Sequence, residues 1–153
     1  IACAVQALNV YYLPDFIQWK LEQKFKKVNM WPFGAGGISQ HFVYWPAHLN
    51  VKSLPADFKA KCREKYESWY PWWEANWELG IPEWHKGKVD YKQFRSAEYG
   101  IKRLNGILSF MESEDWSQRL PEMKEFLGLC DKQRGITFAE TFPEMIEIFK
   151  DAQ

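Results

Sequence analysis

The order of the first elements constrains this chain most. Residues 1–8, IACAVQAL, are apolar on both faces except at Gln6. Such a run fits a strand covered on both sides, as in a parallel sheet, although a buried helical turn of the same length reads alike. Leu13, Ile17, Leu21 and Phe25 then recur every four residues, the helical period, and Pro14 suits a first helical turn. A second strand is expected over 38–46, where Phe42 and Tyr44 alternate with His41, Val43 and Trp45 until Pro46 ends the run. Strand, helix, strand, helix predicts a parallel pair with a crossover helix. Two parallel strands are too few to stand alone. The first half therefore reads as the last two βα units of a larger α/β domain.

The remainder is helical. A second helix starts at Ser53 and Pro55 and carries the stripe Phe58, Cys62, Tyr66, Trp69, Trp73 and Trp77, with a kink or split expected near Tyr70 because of Pro71. Asp90 and Gln93 form a capping box for a third helix, whose stripe is Phe94, Ala97, Ile101, Leu104, Leu108 and Met111. A fourth helix is expected from Leu120 to Gln133, stopped by Gly135. A fifth runs from Thr141 to Lys150, capped by Thr141 and Glu144, with Phe142, Met145, Ile146 and Phe149 facing inward. The expected fold class is α/β but helix-dominated: a βαβα remnant of a partial (β/α)6 barrel followed by a C-terminal helical region. One domain is expected over 1–153, with the βα units in 1–79 and the C-terminal helices in 80–153.

The chain's 20 Lys+Arg balance its 20 Asp+Glu, which argues against electrostatic capture of nucleic acid or an anionic membrane. Lys24, Lys26 and Lys27 read as a solvated helix face. No apolar run approaches the roughly 20 residues of a membrane span, and no signal peptide is visible at Ile1–Leu8. Cys3, Cys62 and Cys130 fit neither a disulfide framework nor a zinc spacing, so they read as core thiols in a reducing cytoplasm.

No catalytic constellation is complete. His41, His48 and His85 lack metal-ligand spacing, and WPFGAGG at 31–37 matches neither phosphate-binding glycine pattern. Glu112, Glu114 and Asp115 offer paired carboxylates, or simply end one helix and cap the next. Asp131 and Arg134 are spaced for an ion pair on one helix face. In a βα barrel, function sits at the carboxyl ends of strands. That points to Gln6 and Asn9 after the first strand, and to Tyr44, Trp45 and His48 after the second, with helix capping as the structural alternative for Asn9.

The segments VQALNVYYLPDFIQW, HFVYWPAHLNVKSLPADFK, LSFMESEDWSQRLPE and LCDKQRGITFAETFPEM together resemble the C-terminal half of twitch-type radical S-adenosylmethionine proteins found in phage and environmental sequences. The likeness spans most of residues 1–150. It implies a partial (β/α)6 barrel holding a [4Fe–4S] cluster and S-adenosylmethionine, with Gln6, Asn9, Tyr44 and His48 near the cofactor or substrate mouth. It also implies that Asp131, Arg134 and Glu144, in the closing motif, pair structurally. The family's CxxxCxxC cluster motif is absent, and the three scattered cysteines cannot replace it. The expectation is thus an enzyme fragment, inactive as it stands and without a cofactor of its own. The alternative is a non-enzymatic, aromatic-rich helical module that binds an unknown partner through Trp69, Trp72, Trp73 and Trp77. Unpaired strand edges further predict a homo-oligomer.

Overall fold

The computed structural model describes residues 2–23, 39–80 and 96–150. Two short strands, β1 (Ala2–Val5) and β2 (Ser39–Phe42), pair in parallel, with Ala2 opposite Ser39 and Val5 opposite Phe42. The rest of the described chain is helical or loop. The helix-dominated architecture with a parallel strand pair is the one that the order of apolar patterns implies. Both strands are shorter than the apolar runs that announce them.

A 3-10 turn (Val10–Tyr12) leads into α1 (Leu13–Glu22), with Pro14 in its first turn. Leu13, Ile17 and Leu21 are buried as the period requires, and Phe25 lies outside the described residues. Lys20, three residues after Ile17, shares that buried face.

After β2 the chain passes through two 3-10 turns, Ala47–Leu49 and Val51–Ser53, before α2 (Ala56–Asn76). Ser53 does not cap α2; its hydroxyl donates to the Ala47 carbonyl at 3.0 Å. Helix α2 runs through Pro71 without a break. Pro71 and Glu67, whose carbonyl loses its usual donor, are both exposed, so water can serve that carbonyl.

Helix α3 (Ala97–Glu112) is capped by Ser96, whose side chain accepts from the Tyr99 N–H. The expected capping box at Asp90 and Gln93, and Phe94, lie outside the described residues. Leu104, Leu108 and Met111 are buried as expected, and Gly100 and Ile107 join them. Helix α4 (Leu120–Arg134) ends at Gly135, which adopts φ 67° and donates its N–H to the Asp131 carbonyl. Only a residue tolerating the left-handed region closes a helix this way.

The fifth helix departs from expectation. Its capping box is Thr137 with Glu140, one turn earlier than Thr141 with Glu144, and α5 spans only Phe138–Thr141. Pro143 disfavours a helical residue before it, and Phe142 accordingly sits at φ −134°, ψ 64°. The chain continues as a 3-10 helix, Pro143–Phe149. Its three-residue period buries Met145 and Ile148 together and leaves Ile146 45% exposed rather than inward.

The core gathers Val5, Val10, Ile17, Phe58, Tyr66, Trp73, Leu104, Leu108 and Met123. No described helix is long and apolar enough to cross a membrane.

Candidate functional site

Gln6, Asn9, Tyr44, Trp45 and His48 follow the carboxyl ends of the two strands, where parallel sheets usually bind ligands. Their local roles differ. Asn9 is not a helix cap: its side chain makes no bond to the turn that follows. Its amide nitrogen donates instead to the Ala4 carbonyl at 2.8 Å, and its side-chain oxygen accepts from the Gln6 N–H at 3.0 Å. The Gln6 carbonyl in turn accepts from the Asn9 and Val10 N–H groups. The end of β1 is thus locked by Asn9 before α1 begins.

Tyr44 and Trp45 follow β2 and are 62% and 84% exposed. Tyr44 meets the Phe110 ring edge-on at 5.6 Å, and Phe110 packs on Phe42 at 4.1 Å. His48 sits deeper. Its ring lies 5.3 Å from that of Phe126, and its Nδ1 is 3.8 Å from the Glu122 carboxylate. His48 Nε2 and Asn50 Nδ2 are buried with no hydrogen-bond partner. Orphaned buried polar atoms are rare in folded proteins and commonly mark a bound water or ligand group. Asn50 escaped the sequence reading; its side-chain oxygen accepts from the Lys52 N–H at 3.0 Å, a local turn signature.

Beside this region the Lys52 ammonium stands 4.5 Å from the Phe110 ring centre and 5.3 Å from that of Trp116, and pairs with Glu114. Trp116 Nε1 donates to the same carboxylate at 2.9 Å. These donors hold the Glu114 carboxyl below its ordinary range, Lys52 first. Glu112 instead accepts two bonds from Arg63, and Asp115 accepts from the Ser117 N–H. The three clustered carboxylates therefore serve three separate structural partners and do not form an acid–base pair.

Asp131 and Glu144 also make structural contacts. Asp131 accepts from the Phe138 N–H at 2.9 Å and makes no ion pair with Arg134. Glu144 accepts from the Tyr12 hydroxyl at 2.6 Å. Nearby, a groove of about 710 Å³ runs between α2 and the last 3-10 helix, floored by Tyr11 and Phe58. Lys61 pairs across it with Glu147, which Lys150 also approaches from the end of the same 3-10 helix, and Lys65 pairs with Asp15 and lies over Tyr11.

The tryptophan stripe of α2 faces inward. Trp69 and Trp73 are buried and stacked, with ring centres 5.8 Å apart, and Trp72 is half-buried against them. Trp69 Nε1 donates to Gln18 Oε1 and Trp73 Nε1 to the Ala97 carbonyl, so their polar edges are satisfied within the fold. Tyr66, on the same stripe, donates to the Val10 carbonyl at 2.7 Å.

Among the cysteines, Cys62 is buried and its thiol is pushed up to about 12 by burial, while Cys3 and Cys130 are half-buried. Burial also raises Cys3. Among the described residues, no group of three or more His, Cys, Asp or Glu side chains converges as metal ligands would. His85 lies outside the described residues.

Lys20 is one of the buried charged residues, with Lys52 and Lys59, that the sequence reading missed. It is fully buried on α1, and burial lowers its ammonium to about 8. Its place three residues after Ile17, inside the apolar stripe, is the signal that could have found it.

Comparison with protein-family models, with curated proteins and with solved structures finds no match to this chain.

Proposed function

We propose that this chain is the carboxy-terminal part of a twitch-type radical S-adenosylmethionine enzyme, that it forms the last two βα units of a partial (β/α)6 barrel, and that it performs no radical chemistry alone. One observation carries the reading: among the described residues, one face of the parallel pair is packed and the other is exposed. Val5 and Phe42 pack into the core, whereas Ala4 and His41, opposite each other on the other face, are exposed. Parallel sheets occur almost only with both faces covered and several strands paired. The open face and the residues beyond the strand ends fit the wall of a larger barrel better than a finished surface.

The thiols here do not suit an iron–sulfur cluster. A cluster needs convergent thiolates, and burial holds Cys62 protonated. In the proposed enzyme the cluster belongs to the amino-terminal units. The side chains here fit a wall role: Gln6, Tyr44 and His48 border the mouth, and His48 Nε2 with Asn50 Nδ2 offer unpaired polar atoms to a ligand. The alternative reading, an aromatic interaction module, loses Trp69 and Trp73 of the α2 stripe to the core and would have to rely on exposed rings elsewhere, such as Tyr44 and Trp45.

Anaerobic reconstitution with iron and sulfide tests the proposal, on the chain alone and on the chain joined to the polypeptide encoded upstream. Cluster absorbance and release of 5′-deoxyadenosine are expected only from the joined protein. A stoichiometric [4Fe–4S] signal from this chain alone, or an upstream sequence lacking CxxxCxxC, overturns the proposal.

A further inference from the structure

Helix α4 turns one face to the core and leaves a second face open. Leu120, Met123 and Leu127 are buried. On the far side, Glu122, Phe126, Leu129 and Gln133 follow at intervals of four, three and four residues, which sets them in one stripe along the helix. All four are exposed, Leu129 by 54%. The two middle positions are apolar and the two outer ones are polar.

The charges beside this stripe come in a definite order. Glu125 and Lys132 flank it on the same side, one near each end. Neither has an opposite charge three or four residues away on the helix. Seven residues of helix hold them about 10 Å apart, too far to pair with each other. Among the described residues neither has a hydrogen-bond or ion-pair partner. By contrast, Glu122 pairs with Arg119, and Asp131 accepts from the Phe138 N–H.

A second α4, laid antiparallel about a two-fold axis between Phe126 and Leu129, answers each of these positions. Phe126 of one copy meets Leu129 of the other, and the reverse. Glu122 meets Gln133, whose amide donates to the carboxylate. Glu125 meets Lys132 twice, once on each side of the axis. This is the reciprocity that a two-fold contact requires. A parallel pair in register brings the two Glu125 side chains to one level and the two Lys132 side chains to another, so no opposite charges meet. The charge order therefore selects a second copy of this chain, in the antiparallel arrangement.

We infer that α4 is a self-association surface, on which two copies of this chain pair antiparallel through Phe126 and Leu129, with Glu125 of each copy against Lys132 of the other. This inference does not depend on the proposed function, and it uses a different surface from the strand edges. A single helix pair falls short of the roughly 1,200 Å² that a stable interface buries, so the association is of the weak, transient class, with a Kd on the order of 100 µM.

Sedimentation equilibrium from about 10 µM to about 1 mM tests it, a range that brackets this Kd. The parent should pass from monomer to dimer across the range. Glu125→Lys and Lys132→Glu should each weaken the dimer by about tenfold, because two attractions become two repulsions. An equimolar mixture of these two variants should pair as tightly as the parent, since every Lys at the contact again meets a Glu. Leu129→Asp should abolish pairing. All three positions are exposed, and a urea titration of each variant establishes that it is folded. If Leu129→Asp does not fold, the charge variants and their mixture decide alone. Any of four results overturns the inference: a parent that stays monomeric throughout the range, a dimer that Leu129→Asp leaves intact, single charge variants that pair like the parent, or a mixture that pairs no better than either variant. The chain joined to the polypeptide encoded upstream supplies a fifth. If Leu129→Asp there lowers fold stability without changing the mass, the face is covered within one molecule and the inference fails.

Discussion

The indole of Trp73 closes directly over Gly100. A Cβ at position 100 would lie 2.3 Å from Trp73 Cζ2, and the same indole donates to the Ala97 carbonyl one turn earlier on α3. Trp73 is 1% exposed and cannot swing away, so α2 and α3 approach this closely only because residue 100 lacks a side chain. Gly100→Ala should therefore destabilise the fold by about 1–3 kcal/mol through overpacking, although alanine is the better helix former. Gly106, on the same helix, has open space around it. Gly106→Ala should stabilise by about 0.5–1 kcal/mol. Chemical denaturation of both variants checks the pair, and equal effects would mean that the Trp73 contact does not govern the helix approach.

The same contact shows what was legible beforehand. The spacing of Phe58, Cys62, Tyr66, Trp69 and Trp73 places them on one helical face, and they are all buried. Spacing does not say that Gly100 is where another helix meets that face; a glycine inside a strongly periodic stretch was the available hint. The parallel pair followed from element order alone. The last helix failed because Phe142, Met145, Ile146 and Phe149 fit a 3.6-residue period, whereas Pro143 imposed a tighter one. In the candidate site, position was readable but bonding was not. Asn9 falls at the strand end in the sequence, but its bonds back to Ala4 and Gln6 depend on a reversal of the chain that no local pattern encodes.

Tryptophans of opposite environment separate core from surface. Trp45 is 84% exposed and Trp73 is 1% exposed. Trp45→Phe should remove a readily quenched part of the fluorescence and shift stability by no more than about 0.5 kcal/mol. Trp73→Ala should lower stability by about 3–5 kcal/mol. Acrylamide quenching with a parallel urea titration checks both. A large stability loss in Trp45→Phe would show that this ring is part of the packing.

Lys20 makes stability depend on alkaline pH. Its ammonium titrates near 10.5 in the open chain and at about 8 when buried in the fold. Between these values the unfolded chain binds a proton that the folded chain has released, so stability rises with pH across this window. Below the lower value both states are charged, and the full penalty of burying the charge is present. Any gain in Lys20→Met should thus shrink by about 1–3 kcal/mol as the pH climbs from about 8 to 10.5. Urea titrations across that range give the difference directly; a gain independent of pH would assign it to packing rather than to charge.

Glu114 should act at the acid end. Its carboxylate takes bonds from Lys52 and Trp116, and its own carbonyl accepts from Lys59 Nζ at 2.8 Å. The Trp116 N–H donates to the Lys52 carbonyl at 3.1 Å, so this loop is tied to the turn that follows Asn50. The folded carboxyl lies below its ordinary 4.5, so the stabilisation is present above that value and is lost as the pH falls through the lower folded value. Glu114→Gln keeps an acceptor for Trp116 but removes the charge facing Lys52. The variant should be less stable than the parent at neutral pH, and the two should converge in acid. Thermal melts from neutral pH down past the carboxylate range measure that convergence. A difference that persists undiminished in acid would mean that shape, not charge, joins Glu114 to the Lys52 cage.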